Sequence, residues 1–231
     1  MLEPSIGELS TSQRLAQLAT TRAGASRVFQ RHHLDFCCGG QRDLATACAD
    51  RGLDPQAVLA EIESESLPQQ IFERWDERGA AELIEHILER FHRPHRQELE
   101  RLLPMARKVE RVHADKASCP HGLADHVSRM SEELVMHMQK EEQVLFPLIQ
   151  SGAGRAARMP VQVMEAEHHD HARNLAKLDS LTCDYTPPPE ACATWRALYL
   201  GLFELKQELM LHIHLENNVL FPKVLHGEDC K

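Results

Sequence analysis

The chain has 231 residues, 42% of them hydrophobic and 26% charged, and a formal net charge of -9. That length buries one good core and leaves room for a small second unit. The acidic balance argues against a nucleic-acid-binding surface, and no run of about 18 apolar residues offers a membrane span. Aromatic residues make up only 5%, which points to helices rather than a β-sandwich. The N-terminal stretch is polar and has no apolar signal core. Seven cysteines without framework spacing fit a reducing compartment, so the expected setting is cytoplasmic and unexported.

In chain order, residues 1–65 read as a small helical unit. Ile6, Leu9, Leu15 and Leu18 lead to Val28 and Phe29, and then to the turn Asp35-Phe36-Cys37-Cys38-Gly39-Gly40. Short helices are expected at 44–49 and 55–62, the second opened by Asp54-Pro55. Residues 66–79 read as a linker. Four long amphipathic helices follow in 80–231. The first spans about 80–112, with Ile84, Leu88, Phe91, His95, Leu99 and Leu102 on one stripe, and Pro94 and Pro104 expected to kink or divide it. The second spans about 122–148, with Val127, Met130, Leu134, His137, Glu141, Val144 and Leu148 as its stripe. The third, about 160–181, carries Val161, Met164, His168, His171, Leu175 and Leu178. After Pro187-Pro188-Pro189 the fourth, about 190–224, carries Trp195, Leu198, Leu202, Leu205, Leu209, His212, Glu216 and Val219. The expected fold is all-α: an antiparallel four-helix bundle with a small helical N-terminal domain.

Polar residues interrupt these stripes at matching levels. His137 and Glu141 lie one turn apart on a core face, and His212 and Glu216 repeat the spacing. Both segments read HxxxExxxLFP, ending at Pro147 and Pro222. One copy is a weak signal; two copies indicate a pseudo-two-fold site. The third helix offers His168, His169 and His171, of which His168 lies on the stripe; the first offers His86, His92 and His95, where His92 and His95 both border the stripe and periodicity alone does not choose. Four imidazoles and two carboxylates in a bundle core are costly unless a metal pair compensates them. Imidazole and carboxylate donors with open positions suit iron, each ion taking two His and sharing both Glu. Glu142 reads as an outlying acid. His32, His33, His113, His121, His126, His214 and His226 read as surface or structural. Cys37-Cys38 reads either as a redox-active or metal-handling pair or as two small thiols at a turn, while Cys48, Cys119, Cys183, Cys192 and Cys230 carry no motif.

At these residues the sequence resembles the "repair of iron centres" family, which joins a cysteine-bearing N-terminal domain to a haemerythrin-like bundle. The carrying segments are 35–40, 90–96, 108–116, 137–147, 165–168, 186–192 and 215–222. The resemblance implies metal ligands His92, His137, His168 and His212 with bridges Glu141 and Glu216, holding two non-haem iron ions joined by carboxylate or oxide. It also implies Glu133 and Glu167 on a solvent or iron path, and Cys37 and Cys38 as a thiol relay. Pro94 departs from the family pattern.

The implied role is repair of iron–sulfur clusters damaged by nitric oxide or oxidants, through iron supply rather than turnover as an enzyme. The implied partners are damaged iron–sulfur proteins and nitric oxide, with no nucleic acid and no membrane; a homodimer is left open. The alternatives are a sensor or buffer that binds nitric oxide or dioxygen at the same centre, and a reductase of nitrogen oxides. Fold alone does not decide among them.

Overall fold

The computed structural model describes residues 9–65 and 73–226. Ile6, residues 66–72 of the expected linker and Cys230 lie outside them. The chain divides into two compact units, Met1–Arg78 and Gly79–Lys231. Among the described residues no helix is long and apolar enough to cross a membrane.

The first unit contains α1 (Leu15–Thr21), α2 (Ala25–Arg31), α3 (Leu44–Ala49) and α4 (Pro55–Ser64). Leu18, Val28, Phe29, Phe36, Leu44 and Ile62 form its core. The Asp43 carboxylate accepts the Thr46 N–H at 2.8 Å and starts α3; Asp54 accepts Gln56 N–H at 3.0 Å ahead of Pro55 and starts α4.

The second unit is a bundle of four rods. The first joins α5 (Ala80–Ile87) to α6 (Arg93–Val112), and the second joins α7 (Leu123–Lys140) to α8 (Phe146–Gln150). The third is α9 (Gly154–Thr182), and the fourth joins α10 (Ala193–Leu215) to α11 (Phe221–His226). Gly154, at the start of the third rod, sits against Val224 O near the end of the fourth, as an antiparallel pair requires. Gly201 lets α10 sit tightly on α6: a Cβ there would lie 2.7 Å from Leu102 Cδ2.

Each composite rod is joined by a π-helical turn, at Leu88–His92, Glu141–Leu145 and Glu216–Leu220. Arg93, Phe146 and Phe221 donate their N–H to the carbonyl five residues back. Pro94, Pro147 and Pro222 follow immediately, where the bonding pattern resets and a residue without an N–H costs least. Pro94 therefore ends a turn of the same kind as those before the two LFP prolines, and the helix resumes through it. Pro104 and Pro160 lie inside α6 and α9 without a break in either helix.

These turns correct the stripes expected from a regular 3.6-residue period. Each inserts one residue, so the apolar face slips. Val144, expected in the core, is 49% exposed, while Leu145, Phe146 and Ile149 are buried. In the first rod Phe91, His92 and His95 are all buried. The third and fourth rods start at Gly154 and Ala193 rather than near 160 and 190.

Gly201→Val should destabilise the bundle by about 1–3 kcal/mol through overpacking against α6. Thermal or urea unfolding of the metal-free protein measures it.

Candidate metal centre

The π-turns bring six donors to one level of the bundle. His92 closes the first turn, Glu141 and Glu216 open the other two, His137 and His212 sit one turn earlier on α7 and α10, and His168 comes from α9. All six are at most 1% exposed. They form two groups, His92–His212 and His137–His168, each completed by the same pair, Glu141 and Glu216.

The geometry fits a bridged pair of cations. His92 Nε2 and His212 Nε2 are 3.2 Å apart, and His137 Nε2 and His168 Nε2 are 3.1 Å apart. Metal–nitrogen bonds of about 2.0–2.1 Å place neighbouring ligands about 3 Å apart. Each carboxylate turns one oxygen to each group. Glu216 Oε1 lies 3.1 Å from His212 Nε2 and its Oε2 3.1 Å from His168 Nε2; Glu141 Oε2 and Oε1 lie 3.4 Å from His92 Nε2 and His137 Nε2. Both Glu141 oxygens are buried with no hydrogen-bond partner, a cost that a bound cation removes.

Electrostatics agree with this chemistry. Burial, together with repulsion from Glu216, pushes the Glu141 carboxyl well above the usual carboxylate range. Burial acts the same way on Glu216, but His212 and His168 outweigh it and hold that carboxyl well below the range. Burial, reinforced by His212, pulls His92 down to about 4, and burial lowers His137 too, so these imidazoles are neutral near pH 7, the form that can bind a cation.

The outward ring nitrogens meet a second layer. His92 Nδ1 faces Glu142 Oε1 at 2.8 Å, His137 Nδ1 faces Glu167 Oε2 at 2.9 Å, and His168 Nδ1 faces Asn217 Oδ1 at 2.7 Å. Such contacts fix the tautomer and ring plane of a ligand. Glu142 is therefore not outlying: it is held between His92 and Arg96. Glu142 and Asn217 occupy the position just after Glu141 and Glu216 in the two repeat copies, which is the signal that could have found them. His212 Nδ1 has no partner and its ring stacks on Phe91 at 5.3 Å. The hydrogen bond from His137, aided by Lys140, lowers Glu167 to about 2. Glu133 is exposed and accepts from Asn174 Nδ2 at 2.6 Å, one turn before His137.

His95 and His171 are buried beside the centre but outside both donor groups; His169 is exposed. His113 packs at a tilt against Trp195, ring centroids 5.0 Å apart, and His126 Nε2 faces Asn174 O at 2.9 Å.

In the first unit Asp35 Oδ1 accepts the N–H of Cys37 at 3.2 Å and of Cys38 at 2.9 Å, and lies 3.2 Å from Cys37 Sγ. The two sulfurs are 3.9 Å apart and unbridged. A Cβ on Gly39 would fall 2.9 Å from Asp35 O, so only glycine lets the loop close on this carboxylate. Asp35, Cys37 and Cys38 could together hold a cation. The contact with Cys38, then burial, pushes the Cys37 thiol well above its usual range.

Comparison with known proteins agrees with both units. Residues 83–224 match the Hemerythrin HHE cation binding domain, and residues 11–66 match ScdA_N, described as a domain of unknown function, DUF542. The chain is 47% identical over 216 residues to proteins named iron-sulfur cluster repair protein YtfE from Dickeya chrysanthemi, Citrobacter koseri and Shigella boydii serotype 4, covering 94% of this chain and 98% of each relative. The chain belongs to the YtfE-type family. The all-helical bundle is of the haemerythrin type, and its two buried His/Glu groups, sharing Glu141 and Glu216, are consistent with a di-metal site.

His92→Ala and His168→Ala should each lower the metal content, while His95→Ala and His171→Ala should keep it at the end point of loading. Elemental analysis of purified variants distinguishes them. Glu141→Gln should disturb both metal positions yet leave the metal-free chain at least as stable as the parent, because it removes a buried ionisable group. Metal content and thermal unfolding of the same preparation test both halves of that expectation.

Proposed function

We propose that this chain repairs iron–sulfur clusters damaged by nitric oxide or oxidants, supplying iron held by His92, His137, His168, His212, Glu141 and Glu216. The observation that carries the reading is the pair of donor groups sharing both carboxylates, in a chain that also retains the cysteine unit. Family membership over nearly the whole length supports it.

The residues divide the work. Four Nε2 atoms and two carboxylates provide sites for two ions with few anionic ligands, which favours release over permanent storage. Glu142, Glu167 and Asn217 orient the rings from behind. Phe91, Phe146 and Phe221 pack on three of the imidazoles and restrict water. When bound, iron supplies exchangeable Fe(II) and open coordination positions that nitric oxide can occupy. Asp35, Cys37 and Cys38 form the relay in this reading, taking iron or electrons towards a damaged client. Glu167, half-buried against His137, lies on the route outwards, with Glu133 farther along it.

One observation favours a second reading. Cys37 is buried and its thiol is held protonated, which suits a relay poorly until the loop opens. A bundle that only binds nitric oxide or dioxygen, as sensor or buffer, needs no thiolate.

Reactivation of a nitric-oxide-damaged [4Fe–4S] dehydratase separates the two. At equal iron load, the Cys37→Ser/Cys38→Ser variant should keep its iron and still bind nitric oxide, yet lose most of the reactivation. Equal reactivation by the variant would remove the relay. Reversible gas binding with no reactivation by either protein would replace repair with the sensor or buffer reading.

A further inference from the structure

A cavity of about 380 Å³ opens between α6 and α10 on the His92–His212 side of the centre. Its walls are Arg90, Pro94, His95, Glu98, Glu204, Leu205 and Glu208. Three carboxylates face it, against the guanidinium of Arg90. Glu98 is engaged by Arg101 and Glu208 by Arg90 Nη1 at 2.7 Å. His95 on the cavity wall is 2% exposed, and its Nε2 is buried with no hydrogen-bond partner among the described residues. The His95 ring lies 5.3 Å from that of His212. A neutral imidazole nitrogen without a partner, between an acidic vestibule and a metal ligand, is a donor waiting for a cation.

The pseudo-symmetry of the bundle reinforces this. Glu208-Leu209-Met210-Leu211-His212 repeats Glu133-Leu134-Val135-Met136-His137, so Glu208 stands one turn before its histidine as Glu133 does. His95 follows His92 by three residues, as His171 follows His168. The family resemblance implies a path at Glu133 on one side of the centre; Glu208 occupies the equivalent sequence position on the other.

We propose that Glu204, Glu208 and His95 form a second cation passage, through which a divalent ion reaches or leaves the His92–His212 position. An entering ion takes the place of the Arg90 guanidinium on Glu208, passes to His95 Nε2, and is handed to His212. His95 is a positioning residue on the route, not a ligand of the resting centre. The proposal rests on the centre binding metal, as the proposed function requires.

The test is the rate at which metal-free protein takes up Fe(II) added anaerobically, with the number of ions bound at the end point as a second readout. His95→Leu preserves volume and removes the donor; Glu208→Gln preserves shape and removes the charge of the half-buried carboxylate that Arg90 holds. Both should slow uptake into one of the two positions by about tenfold or more, with the final iron content of the parent. Uptake at the parental rate by either variant overturns the passage. So does a His95→Leu end point one ion short, which would make His95 a ligand. A parent chain that takes up no metal overturns the metal-centre reading and the passage with it, and is thereby distinguishable from failure of the passage alone.

Discussion

Two carboxylates buried side by side among four imidazoles set the terms for the rest of the bundle. Taking such groups out of water costs about several kcal/mol per ion unless partners or a cation compensate. Within the protein the compensation is uneven. Glu216 has His168 and His212 within 3.1 Å, whereas the imidazole nitrogens nearest Glu141 lie at 3.4 Å; among the described residues both Glu141 oxygens and Glu216 Oε2 are buried without a hydrogen-bond partner. Leu or Met at these positions would make a more stable core. Their presence is understandable as a binding device that trades fold stability for cation affinity.

The three π-turns are how the helices accommodate that device. A regular helix passing through Glu141 would send Leu145 and Phe146 partly off the core face. The inserted residue keeps the carboxylate inward and then packs Phe146 over His92, and likewise Phe221 over His168. Each turn sits at a donor and is followed at once by proline, so the local deformation of the backbone and the chemistry of the centre are the same feature. α9 presents its donor, His168, from a continuous α-helix.

The duplicated HxxxExxxLFP was legible as a paired site because both copies keep donors one helical turn apart, a spacing that holds up to the start of each π-turn. Beyond that point a 3.6-residue period misplaces residues, which is why Val144 read as core and why His92 and His95 looked equivalent. Pro94 carried the missing information: it stands six residues after Leu88, as Pro147 stands six after Glu141 and Pro222 six after Glu216. Read as a departure, it was the third instance of the rule. Glu142 was missed for a related reason, since the turn swings it back towards His92. The acid and the thiols of Asp35-Phe36-Cys37-Cys38-Gly39 were visible as a cluster, but the burial that suppresses Cys37 acidity comes only from packing.

The bare outer nitrogen of His212 has a consequence for the order of events. An imidazole backed by a carboxylate is a more basic donor than one backed by a phenyl ring. His137 has Glu167 behind it and His168 has Asn217, while the opposite pair has only Glu142; each of the two carboxylates is shared with a cation, Glu167 with Lys140 and Glu142 with Arg96. The two halves of the centre are therefore unequal in grip. With two ions bound, the one on the His92–His212 side would be the more loosely held, and its loss alone would leave both shared carboxylates facing the other ion. Such a centre would give up its ions singly rather than as a pair.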